Sequence, residues 1–328
     1  MKLELLRILR CPQCHEQFRL SPAGETASDI LEGTLECAGP NHHQYPIQNS
    51  IPRFVSADNY ATNFGFQWNK FPRTQLDSHS GTTITRDRFF ACTGWDPAEM
   101  SGKRVLDVGC GAGRFAEIAL QTGAEVVALD YSAAVDACWQ NNAKKGLLHC
   151  VQGDIYSLPF AKGCFDFVYC LGVLQHTPDV DAAFAALTSQ AKPGGALAID
   201  VYPRSWQNLA SAKDWIRPIT KRMDRMKLFR LVEDYLVPIL LPVSVMLGRI
   251  PLIGRKLRHL IPVSNYEGIF PLSREQLREW AILDTYDMLS PTYDKPQTAT
   301  TVREWFQASG FKKVEVFRAG HLVGRGRK

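Results

Sequence analysis

Three glycines and three carboxylates at strand ends are the residues of this chain best placed to hold a ligand. Val105-Leu-Asp-Val-Gly-Cys-Gly-Ala-Gly-Arg-Phe115 reads as a buried strand, a turn through Gly109, Gly111 and Gly113, and the first turn of a helix. Asp107 closes the apolar run. Glycine permits positive φ and lets a ligand approach the backbone closely. A helix that opens behind such a turn aims unpaired N–H groups and a partial positive charge at the space above the strand. A second strand, Glu125-Val-Val-Ala-Leu-Asp130, ends in an acid twenty-three residues after Asp107. A carboxylate there can accept both ribose hydroxyls of an adenosine. Twenty-four residues further on, Val151-Gln-Gly-Asp154 closes a third strand, and Asp154 with Ile155 is expected to hold the adenine edge and face. A fourth strand, Cys164–Cys170, runs into Leu171-Gly-Val-Leu-Gln-His-Thr-Pro-Asp179. The spacing G-x-G-x-x-G of a dinucleotide site is absent, since the third glycine comes one residue early. A dehydrogenase is therefore disfavoured.

A second group of residues could bind a metal. Cys11-Pro-Gln-Cys14 is a C-x2-C knuckle whose thiolates can share one zinc ion. Cys37 follows, spaced C-x4-H with His42 and C-x5-H with His43, so either histidine can complete a tetrahedron. Four protein ligands leave no position open for a substrate, which makes the expected role structural.

The elements that must position these groups alternate regularly. Asp179–Gln190 reads as a helix, Lys192–Gly195 as a turn and Ala196–Tyr202 as a fifth strand. Thr301–Ser309 is a helix stopped by Gly310. Lys313–Phe317 and Leu322–Gly326 then read as an antiparallel hairpin. The class is α/β.

From Lys103 to about Tyr202 the ordered motifs resemble the class I S-adenosylmethionine-dependent methyltransferases. That resemblance implies a Rossmann-like seven-stranded mixed sheet with helices on both faces. It places Asp107, Gly109, Cys110, Gly111 and Gly113 at the amino-acid moiety of S-adenosyl-L-methionine. It places Asp130 at the ribose, and Tyr131, Asp154 and Ile155 at the adenine. Leu171, Gln175 and His176 fall in the loop that faces cofactor and acceptor, with His176 the candidate general base. The amino terminus is similar to the zinc ribbon of ribosomal RNA guanine methyltransferases and to the small zinc-binding activator of tRNA and release-factor methyltransferases. In the former the ligand histidine precedes glutamine and an aromatic, which favours His43 (before Gln44-Tyr45) over His42 and gives the set Cys11, Cys14, Cys37, His43.

The chain has 328 residues, 45% hydrophobic and 22% charged, the balance of a globular protein with room for a large core. Nine scattered cysteines, an odd number, suit a reducing compartment better than a disulfide framework. The first residues lack the apolar core of a secretory signal, so the expected location is cytoplasmic, extending to the inner membrane face. The net charge of +5 is uneven: between Pro203 and Leu260 twelve Lys and Arg stand against four Asp and Glu.

Expected boundaries are a zinc-ribbon-like domain at 1–56, linker and cap helices at 57–100, a cofactor-binding half at 101–202, a helical insertion at 203–296, and a closing helix and hairpin at 297–328. The aromatic and basic stretch from Asp58 to Gly94 either caps the cofactor site or packs the ribbon on the core. The insertion contains an apolar run of fourteen residues between Asp234 and Arg249, with Pro238 and Pro242 inside it. That length falls short of the roughly twenty residues of a spanning helix. A helical lid, a surface lying on anionic lipid (213–258) and an RNA-binding face all remain open. Ser273-Arg-Glu-Gln276 predicts a capping box for a helix through Leu283. The stretch from Asp284 to Pro296 is read as a proline-bounded loop walling an acceptor pocket.

The expected reaction is methyl transfer to a small-molecule, sugar or lipid-linked acceptor at oxygen. Cys170-Leu-Gly-Val173 stands where an Asn-Pro-Pro-Tyr-type motif would serve a nucleobase amine. The alternative is an RNA methyltransferase gripping phosphates with ribbon and insertion.

Overall fold

Val105 to Val108 and Val126 to Leu129 are nearly continuous apolar runs, which strands covered on both faces require. The structure, a computed structural model, describes residues 1–22, 30–56, 59–204, 212–258 and 260–328. The ribbon consists of α1 (Leu3–Leu6) and an antiparallel sheet of β1 (Phe18–Pro22), β2 (Gly33–Cys37), β3 (Gln44–Gln48) and β4 (Ile51–Pro52). Helices α2 (Thr62–Lys70), α3 (Asp77–Ser80), α4 (Ile84–Thr93) and α5 (Pro97–Met100) follow. The core then alternates β5 (Arg104–Val108), α6 (Arg114–Gln121), β6 (Glu125–Asp130), α7 (Ala134–Asn142), β7 (Leu148–Gln152), β8 (Phe165–Leu171), α8 (Val180–Thr188) and β9 (Ala191–Val201). The insertion carries α9 (Ala212–Thr220), α10 (Arg225–Arg230), α11 (Val237–Gly248), α12 (Gly254–Arg258) and α13 (Arg274–Leu289). Helix α14 (Ala299–Ala308) and strands β10 (Lys312–Ala319) and β11 (His321–Arg327) complete the chain.

The main sheet has seven strands in the order β10-β11-β9-β8-β5-β6-β7. Strands β5 to β9 pair in parallel, while β11 pairs antiparallel with β9 and β10. Alternate residues serve the two faces. Leu106, Val108, Val127, Val168 and Ile199 meet α8, α14 and the ribbon core. Val105, Val126, Ala128, Tyr169 and Ala198 meet α4, α6 and α7.

The ribbon is docked on the core, with hydrogen bonds across the seam. Arg10 N–H donates to the Pro159 carbonyl at 2.9 Å, and Phe54 N–H to that of Gln152 at 2.8 Å. Arg53 makes a two-pronged ion pair with Asp136, at 2.5 and 3.3 Å, and also reaches Gln152 Oε1 at 3.0 Å. Leu9, Leu35 and Ile47 share one apolar cluster with Leu129, Val151 and Phe160.

The stretch Lys192–Gly195, read as a turn, lies within the span of β9 but folds out of its register: Phe165 pairs with Ala191 and Phe167 with Ala196, and Gly194 takes φ +78°. Gly194 and Gly195 also pair with the backbone of Lys328. Two sequence readings are corrected. Asp284 to Asp287 are helical: α13 runs on to Leu289, since Thr285, Tyr286 and Leu289 are buried and the next proline is Pro291. The capping box itself forms between Ser273 and Gln276. Lastly, the apolar run is part of a continuous 24-residue helix, Arg225–Gly248, whose most apolar 18-residue stretch has mean hydropathy 1.6, with a π-helical turn at Leu231–Leu236. By length and composition alone it is long and apolar enough to cross a membrane. Its first turns, Arg225–Asp234, precede the apolar run.

Candidate active site

Strand order reverses at β5 and β8, and a crevice opens beyond their carboxyl ends. Between them the chain turns sharply. Gly109 N–H and Cys110 N–H both donate to the Leu129 carbonyl, at 2.7 and 3.0 Å, tying the loop to β6. Gly109 has φ +83°, and a Cβ there would lie 2.3 Å from Val173. Gly113 has φ +85°, and a Cβ would lie 2.4 Å from Asn142 Nδ2 and 2.7 Å from Cys138 Sγ. Both positions demand glycine. Helix α6 begins directly behind, aimed at the crevice.

Asp130 holds the loop from the side. One carboxylate oxygen accepts the Gly111 N–H at 2.9 Å, and the other accepts Ser132 N–H at 2.8 Å and its hydroxyl at 2.7 Å. Burial pushes the Asp130 carboxyl above its ordinary value, and the three donors only partly offset this. Across the crevice, Trp68 of α2 lies over the loop, so close that a Cβ on Gly111 would come within 3.2 Å of its indole. Tyr60 packs on Tyr131 with ring centroids 4.9 Å apart. The aromatic stretch before β5 therefore caps the crevice. The tight glycine turn before a helix N-terminus, the carboxylate and the flat aromatic slot fit an adenosine-bearing cofactor.

The cavity has a volume of about 730 Å³. Of the residues expected to meet the cofactor, Gly109, Cys110, Gly111, Asp130, Tyr131, Ile155 and Leu171 line it, as does His176. Four others are not among its lining residues. Asp107 is buried below the loop beside the Tyr169 hydroxyl, and burial raises its pKa well above the carboxylate range. Gly113 makes the turn into α6. Asp154 caps a short 3-10 turn by accepting the Tyr156 N–H at 3.0 Å. Gln175 is buried, its side-chain amide without a partner among the described residues, while its carbonyl accepts the Lys295 N–H at 2.8 Å.

Beyond the loop the cavity widens into a chamber of titratable groups. His176 Nδ1 lies 3.0 Å from the Tyr293 carbonyl. A carbonyl can only accept, so Nδ1 carries the proton and Nε2 keeps its lone pair. Burial holds the imidazole below its usual pKa against the opposing charge of Asp287. Its ring sits between Phe64 and Tyr202, at 5.3 and 5.5 Å. Opposite, Asp284 accepts the Tyr266 hydroxyl and Gln75 Nε2. Burial, aided by Asp287, pushes Asp284 up to about 6. A third group, at the end of β9, is centred on Asp200. It accepts Arg88 at 2.6 Å and the Gly172 N–H, and has His321 Nδ1 3.4 Å away. Burial alone would raise Asp200, but Arg88 and His321 hold it well below the ordinary carboxylate range.

Arg88, His321 and Tyr266 were not singled out from the sequence, because they come from α4, the final hairpin and the insertion. The one signal available was the density of acids and tyrosines after Leu283. Asp284, Asp287 and Asp294 do wall the cavity, two of them from a helix.

In the ribbon, Cys11, Cys14, Cys37 and His43 bring their ligand atoms within 4.8 Å of one another. Cys11 Sγ is 3.4 Å from His43 Nδ1, and Cys14 Sγ 3.1 Å from Cys37 Sγ. Gly39 donates its N–H to Cys37 Sγ at 3.3 Å, and a Cβ on Gly39 would press within 3.2 Å of Cys14 Sγ. Burial would raise the Cys11 thiol, but backbone N–H groups of Gln13 and Cys14 bring it to about 7. Three thiols, one imidazole and a close-fitting glycine are consistent with structural zinc. His42 is exposed on left-handed backbone and lies outside the cluster.

Comparison with known proteins agrees with both halves. Residues 106–199 match the type 11 methyltransferase domain family, and residues 2–50 match the Trm112p-like family. An uncharacterized protein of Synechococcus sp. is 30% identical over 230 residues, 67% of this chain and 49% of its own length. A ubiquinone biosynthesis O-methyltransferase of Bradyrhizobium sp. is 33% identical over 117 residues, 34% of this chain and 45% of that protein. The chain thus spans about half the length of these relatives. Among solved structures, a magnesium protoporphyrin IX methyltransferase of Synechocystis is 17% identical, with 82% of this chain and 96% of that one covered and a TM-score of 0.43.

Proposed function

We propose a function for a chain that carries an S-adenosylmethionine-dependent methyltransferase domain behind a Trm112p-like zinc ribbon: it methylates a hydroxyl oxygen of a small-molecule, sugar or lipid-linked acceptor. When bound, S-adenosylmethionine supplies a methyl group on a good leaving group, so the protein's main tasks are alignment and removal of a proton. Asp130 would hold the ribose hydroxyls, the Gly109–Gly113 turn the amino-acid end, and Tyr131 and Ile155 the adenine. The cap from Tyr60 to Trp68 would keep water out.

The observation that carries the oxygen assignment is His176, which faces the chamber as a neutral imidazole with its tautomer fixed by the Tyr293 carbonyl. Nε2 is the atom available to accept a hydroxyl proton. The O-methyltransferase relatives support an oxygen acceptor. Arg88, Asp284 and Asp287 offer donors and acceptors for a polar acceptor's other groups.

The test is His176→Gln, which retains an amide donor for the Tyr293 carbonyl but no base. Label transfer from methyl-labelled cofactor into extract should fall about 10²–10⁴-fold, with S-adenosylhomocysteine affinity unchanged. Undiminished transfer would remove His176 from the chemistry.

A further inference from the structure

We propose that the outer face of helix Arg225–Gly248 and the turn after it is a docking surface for an anionic lipid bilayer. Tyr235, Ile239, Val243, Met246 and Ile250 recur at steps of three and four, which places them on one side of a helix. All five are exposed, Ile239 at 61% and Met246 at 70%. Only 17% of the helix's most apolar stretch is buried, so this is not a core helix. Just beyond lies Leu252, fully exposed on left-handed backbone with φ +66°.

The opposite side of the helix is committed. Leu228, Phe229, Val232 and Val237 pack with Ala281, Ile282, Tyr286 and Leu289 of α13. Further along, Ser244 Oγ accepts Asn265 Nδ2 at 3.1 Å. Held sideways along its length, the helix can lie in a membrane surface without crossing it.

Charge selects the occupant. Lys221, Arg222, Arg225, Lys227 and Arg230 are exposed just before the stripe, and Arg249 just after it. A second copy placed on this face would bring two basic collars together. RNA would match the collar and leave the apolar stripe in water. An anionic bilayer satisfies both, with side chains in the acyl boundary and cations at the headgroups. The same insertion supplies Arg217, Tyr266, Asp284 and Asp287 to the cavity wall. Docking would thus hold that wall at the lipid surface, whichever acceptor is used.

Co-sedimentation of the full chain with phosphatidylcholine vesicles, with and without phosphatidylglycerol, tests this. Binding is expected only with phosphatidylglycerol and should weaken as salt rises. Ile239→Asp with Met246→Asp should reduce partitioning about tenfold or more. Reversal of Arg225, Lys227 and Arg230 to Glu should reduce it about a hundredfold. S-adenosylhomocysteine affinity should stay unchanged in both variants, showing that the fold is retained. No vesicle binding would overturn the proposal. So would a dimer in light scattering that the aspartates dissociate, or vesicle binding insensitive to both sets of substitutions.

Discussion

Asp130→Asn separates the two tasks assigned to Asp130. One side-chain oxygen remains to accept Ser132, whose N–H and hydroxyl lie at 2.8 and 2.7 Å. The new amide then faces the Gly111 N–H, which the carboxylate met at 2.9 Å, so a donor opposes a donor. One lost hydrogen bond in this partly buried loop costs about 2 kcal/mol, within the range for an unsatisfied donor. With about 2.1 cal/mol/K of unfolding entropy per residue over 328 residues, 1 kcal/mol shifts the melting temperature by about 1.5 °C, so it should fall by about 3 °C. The ribose hydroxyls lose a charged acceptor worth about 1.5–3 kcal/mol. S-adenosylhomocysteine should therefore bind roughly 10–150-fold more weakly by titration calorimetry. Asp154→Asn, at a carboxylate that caps a short turn and is not among the cavity's lining residues, should change affinity less. Binding to Asp130→Asn within about threefold of the parent would refute the ribose assignment.

Three further outcomes follow from the geometry. Cys14→Ser should strip zinc from the purified chain in a metal assay and loosen the ribbon, whereas unchanged metal content would reject the ligand set. Arg53→Ala leaves Asp136 unpaired at the seam and should cost about 2 kcal/mol in urea unfolding, with Asp136→Ala adding little more in the double variant. Simple additivity would show that the pair does not couple ribbon to core. His176 is held below its ordinary pKa and works as a base only when neutral. Activity should therefore rise along an acid limb below about pH 6.5 and level off above it. In a pH–rate profile, a limb centred well above neutrality would exclude His176 as the base.

The cofactor half was legible because its parts are local and ordered along the chain. Strand β6 was read to the residue, and Gly109, Gly111 and Asp130 follow from a strand, a tight turn and a strand end. The ribbon ligands were legible for the same reason, since a C-x2-C knuckle is a short-range pattern. The chamber was not. Arg88 and Asp200 are 112 residues apart in sequence, and Arg88 and His321 are 233 apart; no spacing rule joins them. Asp107 and Gln175 show the converse. Their motif positions were evident, but β5 and the loop after β8 turn these side chains into the interior. Helix Arg225–Gly248 was misjudged because charged residues in its first turns hid its continuity with the apolar run.

The most direct measurement is to incubate the full chain with methyl-labelled S-adenosylmethionine and cell extract, then separate lipid, small-molecule, glycan, RNA and protein fractions. Label on a hydroxyl oxygen in a lipid, small-molecule or glycan product is the predicted result. Label confined to RNA or protein, or no transfer by a chain that binds the cofactor, would contradict it.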